Sequence, residues 1–199
     1  MAIIGLSKLV FGKYSNNLGT VTYSGGAVTE KLASYGIEVQ AVEDNNLYLD
    51  NAIAETDAGA FLSGTYTVQT GDLSKETSML MLSLKEVTLT QKEVQVKELV
   101  FDDSVTSNYL GVGQIEMHQV DNVINYRAVW LPKVKFNIPS NSATTKGNQI
   151  EWQTKELSGT IFRSDEVSEN YNHPWKIEAA FPTEEDALKY LLTKAGKAE

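Results

Sequence analysis

Residues 125–139 read NYRAVWLPKVKFNIP. Every even position from Tyr126 to Ile138 is apolar or aromatic, with Ala128, Trp130, Pro132, Val134 and Phe136 between them. A period of two is that of a strand with one buried face. The odd face is mixed: Val129 and Leu131 are apolar, and Arg127, Lys133 and Lys135 are charged. That pattern predicts partial cover on the second face too, by a helix or a neighbouring subunit. Pro132 sits in the middle. Proline donates no backbone hydrogen bond and within sheets is confined to edges, strand starts and bulges. It marks the place where regular pairing breaks or bends.

The partner strand is legible. Residues 108–120 and 123–138 flank Asp121-Asn122, whose side chains tolerate the positive φ of a two-residue hairpin turn. Such a turn fixes the register. Met117 then faces Tyr126, Ile115 faces Ala128, Gly113 faces Trp130 and Gly111 faces Pro132. On the other side Glu116 faces Arg127 and Val112 faces Leu131. Large residues meet small ones and opposite charges meet. The structural set of this hairpin is therefore Gly111, Gly113, Trp130 and Pro132.

Working outward, strand patterns dominate. Residues 6–14 and 18–23 read as a hairpin around Ser15-Asn16-Asn17. Residues 35–43 alternate, Asp44-Asn45-Asn46 marks a turn before Leu47-Tyr48-Leu49, and residues 50–59 read as a loop. Residues 60–70 alternate through Leu62, Gly64, Tyr66 and Val68. Residues 73–87 fit both a helical stripe and a strand; their composition favours a helix capped by Asp72 or Ser74. Residues 93–101 are strand-like, with a polar turn at Asp102-Asp103-Ser104. Residues 148–163 form a strand whose phase slips between Ile150 or Trp152 and Leu157 or Ile161, which predicts a bulge near Lys155-Glu156. Residues 175–181 alternate. Thr183 then caps a helix over about 184–195, ended by Gly196 and followed by a frayed tail, 196–199.

The sum is eight to ten strands and two helices in one domain of 199 residues, with no linker and no repeat. Strands do not alternate with helices, so the expected fold is mainly β: an antiparallel sandwich or barrel with one central flanking helix and a C-terminal helix.

Composition narrows the function. The chain has no cysteine, which removes disulfide scaffolds and thiol chemistry. No apolar run approaches the roughly 18 residues of a spanning helix, and the start lacks a signal-peptide pattern, so a soluble, cytosolically made protein is expected. A net charge of −9 argues against a nucleic-acid grip. The charge is also uneven. Between Lys31 and Lys75 no Lys or Arg occurs, while Glu38, Glu43, Asp44, Asp50, Glu55, Asp57 and Asp72 all do. The plain reading is a solvated acidic face. The sharper one is a surface kept free of cations because a polyanion passes it.

Catalytic patterns are missing. His118 and His173 stand in no ligand spacing, and both suit structural or solvent-facing roles. Gly111-Val112-Gly113 lacks the third glycine and the helix of a dinucleotide loop. No phosphate-binding P-loop sequence and no G-x-S-x-G elbow occurs. The acid pairs 43–44 and 102–103 do not make a calcium loop. Glu184, Glu185 and Asp186 suit the helix dipole. No cofactor or metal is implied.

Two blocks resemble a known family. Residues 44–57, DNNLYLDNAIAETD, and 130–136, WLPKVKF, are similar to blocks of the major tail tube proteins of long-tailed, non-contractile (siphovirus-type) phages. Gly159-Thr160-Ile161 and the final short helix follow in the same order, so the likeness runs from about residue 3 to 196. Asn122 departs from it, standing where glycine is expected in the turn.

The resemblance implies a two-sheet sandwich with a flanking helix. It implies hexameric rings of this chain stacked into a hollow tube through which DNA is delivered. The fold would also be similar to inner tubes of contractile tails and of type VI secretion. Implied partners are further copies, then tape measure, tail terminator and distal tail proteins, with no membrane. DNA would pass the lumen without specific binding. The implied location is the virion tail, after assembly in the bacterial cytoplasm. On this reading Glu43, Asp44, Asp50, Asn51, Glu55 and Asp57 are the assembly or lumen candidates, and the loop about 44–58 is the stacking contact. A tube subunit of a secretion or bacteriocin-like particle is the alternative. A β-sandwich enzyme or lectin-like binding protein is the third reading.

Overall fold

The computed structural model describes residues 2–29, 31–57, 59–71, 73–91, 94–140, 145 and 154–197. Its strands are β1 (Ala2–Asn17), β2 (Thr20–Thr29), β3 (Leu32–Ala41), β4 (Asn45–Leu49), β5 (Ala52–Asp57), β6 (Phe61–Thr70), β7 (Lys85–Gln91), β8 (Val94–Val100), β9 (Tyr109–Val120), β10 (Val123–Phe136), β11 (Lys155–Phe162) and β12 (Ile177–Phe181). The helices are α1 (Lys75–Met81) and α2 (Glu184–Lys194).

β10, the strand quoted above, organises the rest. It pairs along β9 in the register predicted from the turn: Met117 opposite Tyr126, Ile115 opposite Ala128, Gly113 opposite Trp130, Val112 opposite Leu131. Asp121 and Asn122 have φ of 48° and 64°, as a two-residue hairpin turn of this kind requires. One predicted pair fails. The register jumps from Leu131–Val112 to Val134–Leu110, so Pro132 and Lys133 together oppose Gly111 in a β-bulge.

The bulge has two consequences. It inverts the side-chain phase. Ala128 and Trp130 pack with α2 in one core, whereas Leu131, Val134 and Phe136 pack in the other. The even face is therefore not one continuous buried face, and Ile138 lies exposed beyond the strand. The bulge also separates two partners. Residues 126–130 pair with β12 and residues 133–136 pair with β11. Pro132 stands between the two ladders, where a missing N–H removes no bond from either.

β10 thus belongs to two layers. β2-β1-β9-β10-β12 forms one and β10-β11-β6-β3 the other, all antiparallel. The fold is mainly β and sandwich-like with a C-terminal helix, as expected. Between the layers lie Phe11, Tyr66, Val68, Leu110, Val112, Leu157 and Ile161, closed at one end by Met81, Leu82 and Leu84 around α1. On the outside of the first layer, Val10, Ile115, Ala128 and Trp130 meet Ala187, Leu191 and Ala195 of α2.

The glycines make the second core possible. A Cβ on Gly111 would lie 2.3 Å from Trp130 Cζ2, and one on Gly113 2.7 Å from Leu191 Cδ2. A Cβ on Gly12, the β1 partner of Gly111, would lie 2.8 Å from Ala195 Cα. The indole and the helix end rest directly on bare backbone.

Local structure departs from the sequence reading in several places. The first hairpin turns at Leu18-Gly19, φ 49° and 88°, while Ser15, Asn16 and Asn17 lie within β1. Asn16 still serves the turn, because its Oδ1 accepts from the Gly19 N–H at 2.9 Å. The helix expected over 73–87 spans only Lys75–Met81. Ser74 caps its start, and Asn108 satisfies the carbonyls of Leu80 and Met81 at its end. Residues from Lys85 onward extend, because Val87, Thr88, Leu89 and Thr90 pair with β8. The total is twelve described strands, above the expected eight to ten; β4–β5 and β7–β8 each form a separate two-stranded sheet. No bulge interrupts Lys155-Glu156, since β11 pairs continuously with β6 from Lys155 to Ile161. Ile150, Trp152 and Asp72 lie outside the described residues.

Thr183 caps α2 as predicted, its Oγ1 accepting from the Asp186 N–H at 3.2 Å. The tail does not fray at once. Gly196 and Lys197 donate to Thr193 and Leu192, and a Cβ on Gly196 would meet the Tyr23 carbonyl at 1.9 Å. Residues 198 and 199 lie outside the described residues.

Gly111→Ala should lower the unfolding free energy by about 1–3 kcal/mol or more, as overpacking does. Gly36, with nothing within 4 Å of its added Cβ, is the control. Gly36→Ala should leave the urea midpoint unchanged; equal midpoints for both variants would contradict the packing described.

Candidate functional site

The acidic candidates converge on one hairpin. Residues 50–59, expected to be a loop, supply its turn and second strand. β4 pairs β5 with Asn45 opposite Asp57, Asn46 opposite Thr56, Leu47 opposite Glu55 and Leu49 opposite Ala52. Asp50 and Asn51 form the turn with φ of 50° and 63°, the Asp-Asn chemistry of residues 121–122 repeated. Asn45 and Asn46 belong to β4 and are not a turn. Asp44 holds the base, its Oδ1 accepting from the Gly59 N–H at 2.9 Å. Glu43, Asp44, Asp50, Asn51 and Glu55 are all exposed. Asp57 ends β5.

The same hairpin exposes apolar side chains. Leu47, Tyr48, Leu49 and Ile53 are each more than half exposed. β7–β8 is a second detached hairpin. Its register puts Val87, Leu89, Val94 and Val96 on one face, all exposed, opposite a face with Glu86, Thr88 and Lys97. Glu86 takes Lys75 at 2.5 Å and Lys97 at 3.0 Å, which ties the hairpin base to α1. Glu98, opposite Val87, shares that face. A two-stranded hairpin that leaves four apolar side chains exposed is marginal by itself in water.

The hairpin candidates Gly111, Gly113, Trp130 and Pro132 lie in the core and reach no opening. They shape the sheet.

A polar row inside the sandwich went unseen in the sequence. Gln114, Glu116 and His118, on one face of β9, are 1%, 3% and 5% exposed. The Glu116 carboxylate accepts from the Tyr35 hydroxyl on β3 and lies 2.7 Å from His118 Nε2. Tyr66 on β6 donates to Gln114 Oε1. Burial, then the Glu116 contact, pushes the Tyr35 hydroxyl well up, so it stays a donor. Gln114 Nε2 and His118 Nδ1 are buried without a partner among the described residues. Glu116 stands opposite Arg127, as the register predicts. On the same face β12 brings Glu178 to 3.4 Å from Arg127 Nη1. The available signal was three polar residues at alternate positions of an otherwise core strand.

His173 has a structural place: its Nδ1 is 2.9 Å from the Ser164 carbonyl, and its N–H donates to Glu166. Among the described residues no group of three or more His, Cys, Asp or Glu could hold a metal ion. A cavity of about 90 Å³ is lined by Leu73, Ser78, Met81, Leu82, Phe101 and Lys155. A wider groove of about 560 Å³ lies between β2 and α1, with Lys13, Glu76 and Leu80 on its walls. Neither brings together a nucleophile, a base and an oxyanion donor. No helix among the described residues is long and apolar enough to cross a membrane.

Two measurements test this description. Tyr35→Phe should cost about 1–3 kcal/mol, since it strips a donor from a buried carboxylate; Glu116→Ala should cost more. An unchanged urea midpoint for both would show that the row is hydrated and not buried. At the surface, the Lys133 ammonium, 2.6 Å from Asp165, holds the Asp165 carboxyl below its ordinary range, and Lys176 does the same for Glu178. A lowered folded-state pKa contributes stability above the unfolded value and loses it as pH falls through the folded one. Asp165→Asn should therefore lower Tm at pH 7 and leave it unchanged near pH 2; an equal deficit at both would rule out the charge as its source.

No protein-family model matches the chain, and no curated protein matches it. The functional reading rests on the residues themselves.

Proposed function

We propose that the chain is a structural subunit of a phage tail tube, forming stacked hexameric rings around a channel for DNA. The observation that carries this reading is the pair of sheet edges. β2 and β3 end the same sheet path, and each pairs with one neighbour among the described strands. An unpaired strand is a template for pairing with another chain. Edges that differ, β2 at one end and β3 at the other, favour a head-to-tail contact, and such contacts close into rings when the rotation permits.

The hairpins support the same reading. β4–β5 carries acids and exposed apolar residues together, a composition suited to contact between rings. The cation-free stretch from residue 32 to 74 offers few phosphate contacts, so DNA would slide past it and not be held. This reading requires no catalytic residue and no cofactor.

Negative-stain microscopy of the concentrated, purified protein should show rings or tubes. A monodisperse monomer at all concentrations would sink the reading. Asp50→Lys combined with Glu55→Lys should shorten or abolish the tubes without lowering Tm, because both side chains are exposed. Normal tubes from that variant would remove the hairpin from the assembly surface.

A further inference from the structure

The outer face of the sandwich carries a cationic, aromatic strip where β9, β10 and β11 meet. Tyr109 stands opposite Lys135, and Lys133 opposite Phe162. The Tyr109 and Phe162 rings meet edge to face at 5.7 Å. Lys135 Nζ lies 5.3 Å from the Tyr109 ring centre, and Lys133 Nζ lies 5.0 Å from it and 5.1 Å from that of Tyr14. These separations are those of cation–π contacts, which hold the ammonium groups over the rings. One acid enters the strip. Asp165 takes Lys133 at 2.6 Å and the Tyr14 hydroxyl at 2.8 Å, so its charge is used within the cluster. The surplus positive charge falls on exposed Lys135. Among the described residues it makes no ion pair, and its ammonium stays by the Tyr109 ring.

We infer that this strip receives the β4–β5 hairpin of a second copy of the chain. The inference rests on the tube reading and names the surface that meets the hairpin. Charge complementarity carries it. The segment from residue 32 to 74 has acids and no cation, so two such hairpins repel each other. The strip has cations in surplus. The hairpin also exposes Leu47, Tyr48 and Leu49, and the strip leaves the Tyr109 ring partly exposed beside its charges. A net charge of −9 weighs against nucleic acid as the occupant.

The natural absence of cysteine makes the test direct. Asn51→Cys and Asn137→Cys variants, the second exposed and two residues from Lys135, are purified separately, mixed and oxidised. The mixed 51–137 disulfide should exceed the 51–51 and 137–137 species and should fall several-fold in 1 M salt, where the Debye length is about 3 Å. Lys135→Glu should weaken self-association about two- to fivefold per charge pair, and Glu55→Lys in the same chain should restore part of it. Near-ultraviolet circular dichroism of each variant checks folding. Rings or tubes that form without a 51–137 product would overturn the inference and leave the tube reading standing. A monomer under every condition would overturn both. Binding of a duplex oligonucleotide that Lys135→Glu abolishes, with self-association unchanged, would assign the strip to nucleic acid and overturn the inference.

Discussion

The bulge at Pro132 is the constraint on which the fold depends. A strand of constant phase keeps its even-numbered side chains on one face, and β10 uses even-numbered residues in two cores on opposite faces. The extra residue inverts its phase between Leu131 and Val134. Trp130 and Ala128 can then face α2, while Val134 and Phe136 face the interior between the layers. The same residue ends the ladder with β12 and precedes the ladder with β11. Proline supplies the break at little cost, because its missing donor falls where neither ladder needs one. The Pro132 carbonyl is not idle: it accepts from the Tyr23 hydroxyl at 3.0 Å, which anchors edge strand β2 beneath the helix end.

The two cores are built on different terms. Between the layers, packing is by branched and aromatic side chains that interlock from both sheets. Under α2, packing is by subtraction. Gly12, Gly111 and Gly113 remove side chains so that Trp130, Leu191 and Ala195 approach the backbone itself. Contact at that range leaves no slack, and the helix cannot shift without colliding with the sheet. This explains how a helix of 11 residues stays in place on a broad sheet.

Much of this was legible, and the limit is instructive. The register of β9 against β10 followed from Asp121-Asn122, because a two-residue turn leaves no freedom and both flanking strands carry core residues. The turn at Asp50-Asn51 has the same residues and nearly the same φ angles, yet in the sequence residues 50–59 read as a loop. Its strands expose Leu47, Tyr48 and Ile53 and so show no inward–outward contrast. Alternation reports burial, and a strand that buries nothing in its own chain gives no such signal. The row Gln114-Glu116-His118 was hidden for the opposite reason. Polar residues at alternate positions read as a solvent face, and only the approach of Tyr35 and Tyr66 from the other layer encloses them.

That buried row bears on how the sheet edges behave. Tyr35 belongs to edge strand β3, and its hydroxyl reaches across the interior to Glu116 on β9. A buried carboxylate is costly unless its hydrogen bonds are made. The sandwich therefore has a reason to hold β3 at one distance and one register from β9, beyond the apolar packing that surrounds it. An edge strand fixed in this way presents its outward N–H and C=O groups in a set array. Association through such an edge needs little further ordering, so less of the contact energy is lost to conformational entropy. The interior polar network thus acts on the outside of the molecule: it fixes the edge that the proposed ring would pair.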